Sequence, residues 1–227
     1  MRRSKSYLEK KQKLQPLVGS VPLNEAIRKL KLVARDWESV DIAIRLGVDP
    51  RKADQNVRGN ISFPHGTGRT PRVAVFAKGE KVVEARDAGA DKVGLEDIIE
   101  QIKEGVIDFD IAIATPDVMK EVSKVAKILG PRGLMPNPKS GTTTFEVAAA
   151  VKEFRAGKVN FRVEKAGIVH VTAGKGSFAE SQLVENIEFL LAEINRLRPP
   201  SVKGQYVKSV AVSATQSPAI RIDPLTV

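Results

Sequence analysis

Apolar residues recur along this chain in two rhythms. In SVDIAIRL (Ser39 to Leu46), VNFRVE (Val159 to Glu164) and GIVHVT (Gly167 to Thr172) they alternate with polar ones, the period of a strand with one buried face. The middle of the chain instead carries short, wholly apolar runs, Val73 to Phe76 and Ile111 to Ala114, with a lone Val93 between them. Helical patterns at Lys81 to Ala88 and Leu95 to Lys103 separate these runs. Strands apolar on both faces, alternating with helices, predict a parallel sheet covered on both sides.

Further helices are predicted from Leu23 to Ala34, Pro116 to Leu129, Glu146 to Phe154 and Phe178 to Leu197. In the last, Leu183, Ile187, Leu190, Leu191 and Ile194 share one face, and Pro199 and Pro200 end it. Pro116 suits a first helical position with Thr115 as its cap. Gln205 to Val212 reads as a final strand. Breaker clusters at PHGTGRTP (Pro64 to Pro71) and AGK (Ala156 to Lys158) cut the chain twice. The fold class that follows is α/β with two domains. A discontinuous α+β domain comes from 1–67 and 160–227, and a Rossmann-like parallel α/β domain, 68–159, is inserted into it.

Charge sharpens this division. The net charge is +10, with 14 cations against 7 anions over 1–67, 15 against 14 over 68–159 and 8 against 6 over 160–227. Nearly all the excess therefore sits outside the middle, and a polyanion such as RNA is the natural partner of that surface. Half of it comes from Met1 to Leu14, read as a basic tail without the apolar core of a signal peptide. No apolar run approaches the ~20 residues of a membrane helix, and the absence of cysteine fits a reducing cytoplasm.

Catalysis finds little support. With two histidines, His65 and His170, and no cysteine, metal spacing and nucleophile–base groupings are missing. A nucleotide-binding enzyme is the strongest rival, because Lys78-Gly79 follows a strand, yet no G-x-G-x-x-G accompanies it and GKGS (Gly174 to Ser177) lacks the earlier glycine of a phosphate loop. A DNA-binding regulator would need a recognition helix that the chain does not offer. No cofactor is expected.

The loop GPRGLMPNPKSGT (Gly130 to Thr142) is stiffened by three prolines and centred on Leu134 and Met135, so order is expected; it either braces the middle domain, with Arg132 and Lys139 in surface salt bridges of little worth, or touches RNA in a supplementary way. Together with RLGVDPRKADQNVRGNISFPHGTG (Arg45 to Gly68), AKGEK (Ala77 to Lys81), ATPDVM (Ala114 to Met119) and KSVAVSAT (Lys208 to Thr215), it resembles the L-one family of bacterial large-subunit ribosomal proteins. The resemblance implies the same two-domain arrangement, with a hinge at the crossings. It also implies a monomeric, non-enzymatic cytoplasmic protein that binds the stalk of large-subunit ribosomal RNA near the transfer-RNA exit site. Its further partners would be that transfer RNA and the messenger RNA of its own operon, whose translation it would repress.

Carried onto this sequence, the family's RNA surface has several pieces. Arg35 would meet phosphate, while Ser39 and Asp41 would bond ribose or base edges. Trp37 follows Asp36, which stands where the family has an aromatic. Lys165 and Gly167 of EKAG, with His170 after them, form a second piece. Ser213, Thr215, Gln216 and Ser217 form a third, in which Gln216, Ser217 and Ala219 replace a methionine and glycines. Glu25 and Arg58 complete the patch. Ser39 and Thr215 could instead be ordinary exposed strand residues, and Asp54, Gln55, Asn56 and Arg58 could simply pin a turn.

Overall fold

A computed structural model describes residues 4–14 and 19–224. In chain order its helices and strands are α1 (Lys5–Lys13), α2 (Leu23–Lys31), β1 (Ser39–Leu46), β2 (Arg58–Ser62), β3 (Val73–Phe76), α3 (Glu80–Asp87), β4 (Lys92–Gly94), α4 (Glu96–Lys103) and β5 (Ile111–Ala114). The second half adds α5 (Met119–Val122), α6 (Ala126–Leu129), α7 (Val147–Arg155), β6 (Lys158–Arg162), β7 (Ile168–Lys175), α8 (Glu180–Arg196), β8 (Val207–Ala214) and β9 (Ile220–Ile222). These form two compact units, Met1–Gly68 with Val159–Val227, and Arg69–Lys158.

In the first unit an antiparallel sheet runs in the order β7-β1-β8-β9. Val40, Ile42, Ile44 and Leu46 of β1 are buried with Ile27 and Leu30 of α2 and Leu183, Ile187 and Leu190 of α8. The alternate positions, Ser39, Asp41, Ala43 and Arg45, therefore face the other way, and that side of the sheet is the more open one. A separate ribbon pairs β2 with β6. The PHGTG turn is fastened to this unit by Asn186 of α8, which is fully buried. Its Nδ2 donates to Gly66 O (3.0 Å) and Ala173 O (2.8 Å), and its Oδ1 accepts from His65 N (3.3 Å).

The basic segment read as a tail is in part a helix. Ser4 caps α1, and Leu14 just beyond it is 2 % exposed in the core; an apolar residue one turn beyond Lys10 docks the helix rather than leaving it loose. Arg2 and Arg3 of that segment lie outside the described residues.

The second unit is a parallel sheet in the order β4-β3-β5. β3 is buried throughout and β5 nearly so, as wholly apolar runs require, while β4 at the edge is half-buried. Ala74 and Phe76 pack with Ile98, Ile99 and Ile102 on one side, and Val73 and Val75 with Val147, Val151 and Phe154 on the other. The helix expected from Pro116 to Leu129 is broken into 3-10 turns at Pro116–Val118 and Ser123–Val125, interleaved with α5 and α6. Ser123 Oγ donates to Met119 O at 2.7 Å, a back-bond that bends helices. Thr115 stands at the first turn in extended conformation without a side-chain cap bond.

Candidate nucleic-acid interface

The sheet of the first unit ends in a turn, Arg35 to Glu38, that leads from α2 into β1. Its backbone is pinned from beneath by the GKGS segment, with Gly176 N donating to Glu38 O (2.8 Å) and Ser177 N to Asp36 O (3.1 Å). Lys31 Nζ donates to Phe178 O, just beyond that segment. A Cβ on Gly176 would clash with the Arg35 carbonyl, and one on Gly174 would meet Leu183 and Phe178 at 2.9 Å. The glycines of GKGS thus serve backbone packing under this turn rather than a nucleotide phosphate.

Thr215 closes the other side. Ser39 N donates to Thr215 Oγ1 (3.0 Å) and Thr215 N donates to Ser39 O (3.1 Å), so the Thr215 hydroxyl is engaged within the protein as well as lying exposed. Ser217 Oγ accepts from Ala214 N (2.8 Å) and Ser217 N donates to Ala214 O (3.0 Å), which shapes the β8–β9 turn without glycine. Gln216 at its tip is exposed. Asp41 sits opposite both Ser213 and Thr172, and its Oδ1 accepts from Thr172 Oγ1 at 2.6 Å. Thr172 orients this carboxylate and was not singled out from sequence; its place as the polar member of alternating GIVHVT was the available signal.

On the rim, Trp37 is 61 % exposed, and the Arg35 guanidinium lies 5.7 Å from its ring centroid. This is a cation–π pair that holds a flat aromatic plate and a positive charge together on the turn. Under the plate, Glu38 is 0 % exposed and bonded to Lys10 of α1 at 2.9 and 3.2 Å. Arg35, Trp37, Ser39, Asp41, Ser213, Thr215, Gln216 and Ser217 are therefore gathered at one end of the sheet.

Other expected site residues stand elsewhere. Lys165 and Gly167 lie in the β6–β7 turn, beside the Leu46 end of β1, where Leu46 N donates to Gly167 O (2.9 Å). Seven residues of β1 separate the two ends, about 24 Å. Gly167 is buried with φ +75°, so its glycine serves the turn and offers no open backbone. Arg58, exposed on β2, belongs to the ribbon, which meets the sheet at the Val163–Val169 bridge near that same end. His170 is midway, opposite Ala43, with Nε2 3.9 Å from Glu164 Oε2. Glu25 lies in the first turn of α2 and pairs with Lys29 at 2.6 Å, about 9 Å along the helix from Lys31. The turn before β2 is held by Asp49 Oδ1, accepting from Arg51 N (3.1 Å), and Gln55 Oε1, accepting from Asp49 N (2.8 Å).

The second unit offers a nucleotide little. At the carboxyl ends of β3 and β5, where doubly wound sheets bind ligands, Lys78 is paired with Glu121 at 2.6 Å, and that hydrogen bond raises the Lys78 pKa. The proline-rich loop acts as a brace. Leu134 and Met135 pack on the core, Thr142 is 4 % exposed, its hydroxyl accepts from Asn137 N (2.8 Å) and its carbonyl from Ala114 N (2.9 Å). Among the described residues no group of His, Asp and Glu could hold a metal ion, and no helix is long and apolar enough to cross a membrane.

Comparison with known proteins gives the family. Residues 20–218 match the Ribosomal protein L1p/L10e family. The large ribosomal subunit protein uL1 of Nocardia farcinica is 53 % identical over 224 residues, covering 98 % of this chain and 94 % of that one. The uL1 protein of Frankia alni is 49 % identical over 225 residues, covering 99 % and 94 %. Matches that span both units, in sequence order and nearly end to end, leave one reading of the ancestry: the chain belongs to the ribosomal protein L1p/L10e family.

Proposed function

We propose that the chain is a structural constituent of the large ribosomal subunit, without catalytic activity, whose discontinuous unit grips the stalk segment of large-subunit ribosomal RNA beside the transfer-RNA exit site. The observation that carries this reading is the Arg35–Trp37 plate next to the Ser39–Thr215 clasp, on a rigid sheet end, in the unit that holds nearly all the excess charge. Unstacked RNA bases stack on exposed aromatic faces, and the 2′-hydroxyl both donates and accepts. Trp37 supplies the face, Arg35 the phosphate contact, and Ser39, Ser213 and Gln216 polar partners at the rim. Asp41, oriented by Thr172, accepts from a ribose hydroxyl. Lys165 and Arg58, about 24 Å away along the strand, reach phosphates of a longer RNA and add affinity without sequence choice.

The same residues would hold a similar fold in the messenger RNA of the protein's own operon and so repress its translation. Transfer RNA at the exit site is a neighbour of the bound stalk, and the protein works in the cytoplasm, monomeric when free of the ribosome. Titrating the protein with a stalk RNA fragment and with an unrelated hairpin at physiological salt tests this. A preference of about 10³-fold or more is expected; equal affinities would contradict the reading.

A further inference from the structure

We propose that α1 is an arm of the RNA-binding surface, clamped by the buried Lys10–Glu38 pair beside the turn that carries Arg35, Trp37 and Ser39. The inference rests on the RNA-binding reading above and adds an element to it. Lys10 is 8 % exposed and Glu38 0 % exposed, and Lys10 Nζ bonds both carboxylate oxygens at 2.9 and 3.2 Å. A buried ion pair is a poor way to gain stability, since apolar residues of equal volume do as well or better; what it contributes is a fixed geometry, because either charge left alone is heavily penalised. Glu38 is the right place for such a constraint. Its N–H donates to Arg35 O (3.0 Å), its carbonyl accepts from Gly176 N (2.8 Å), and its neighbours on either side are Trp37 and Ser39.

The rest of the helix agrees. Tyr7, Lys10 and Leu14 fall on one face at helical spacing, and they are half-buried, buried and buried. At 100° per residue, Lys11 and Lys13 fall on opposite flanks of that docked face. Both are exposed, and neither makes an ion pair among the described residues. The clamp fixes α1 against the turn, and the two exposed ammonium groups that flank its docked face are then held ready for phosphates of an RNA stacked on Trp37. Cations in a last turn also complement the helix dipole, so the decisive measurement is on RNA and not on helix stability.

The test uses the full chain. Lys11→Gln with Lys13→Gln is expected to melt like wild type and to bind the stalk fragment about tenfold or more weakly near 0.1 M salt. The slope of log K against log salt should become shallower by roughly 1.4–1.8, the contribution of two phosphate contacts; an unchanged slope would overturn the arm. In a second variant, Lys10→Met with Glu38→Met, no buried charge is stranded. Its preference for the stalk fragment over an unrelated hairpin should fall about tenfold or more, and an unaltered preference would overturn the clamp. A wild-type protein with no preference would defeat the RNA reading and this inference together; wild-type preference with unaffected variants would defeat the inference alone.

Discussion

The two units differ in where they put their ion pairs: the discontinuous unit has surface pairs too, but it alone among the described residues buries one. In the inserted unit both faces of the sheet are covered, 15 cations nearly balance 14 anions, and ion pairs such as Lys78–Glu121, Arg155–Asp91 and Arg69–Asp110 lie at its surface. In the discontinuous unit one sheet face is more open, 22 cations stand against 13 anions, an ion pair is buried next to the exposed turn and an asparagine is buried under the Gly66 turn. Surface pairs are worth little, whereas buried polar groups fix geometry strongly. A unit that must present a shaped cationic surface puts its constraints under that surface. One whose work is packing leaves its charges at the rim.

The strongest way to break this contrast is Lys10→Met, which strands Glu38 as an uncompensated buried charge. It should cost the discontinuous unit about 3–5 kcal/mol, read by hydrogen exchange in β1 and β8, with exchange in β3 and β5 unchanged. Equal losses in both units would erase the distinction. Asn186→Leu follows, leaving the Gly66 and Ala173 carbonyls and the His65 N–H without their partner; about 2–4 kcal/mol is expected from the same measurement. Gly176→Ala should cost about 1–3 kcal/mol through its clash with the Arg35 carbonyl and weaken stalk RNA binding. Added ATP should leave melting of the wild type unchanged, since these glycines pack backbone.

Smaller and pH-dependent effects separate the units further. Burial pushes the Tyr206 hydroxyl up to about 12, only partly opposed by the Arg198 charge. The fold thus prefers the neutral phenol, and that stability is present in full below pH 10 and is lost as pH rises from about 10 to about 12. Tyr206→Phe should abolish this alkaline loss in the discontinuous unit. Asp110 shows the reverse sign. Desolvation is the largest influence on it and raises its pKa, but hydrogen bonds from the Arg72 N–H and guanidinium, with the Arg69 and Arg72 charges, outweigh it and hold the carboxyl below its usual value. Its contribution is present above about pH 4 and lost as pH falls through the lowered value, so Asp110→Asn should flatten the acid limb of the inserted unit.

Much of this was legible in the chain. Ser39–Leu46 and Ile111–Ala114 are the strands that their patterns predict, residue for residue, because alternating and continuous apolar runs report directly on one-sided and two-sided burial. The short β2 and β9 were not visible, since RGNIS and IRI contain too few apolar positions to set a period. The docking of α1 was hidden because Lys10 reads as one more cation in a basic run, and only the tertiary position of Glu38 makes it a core residue. The same limit applies to the interface. Asp41 was identifiable as a polar strand residue, and Thr215, which reads as one too, opens the turn after β8; Lys165 and Gly167 could be assigned to the opposite end of β1 only once the β1–β7 register was fixed.

Amide hydrogen exchange of the full-length protein, with and without the stalk RNA fragment, tests the central claim most directly. The account predicts protection at 35–39, 172–177 and 213–217 and none across 116–142. Protection confined to 116–142, with the sheet end unchanged, would contradict it.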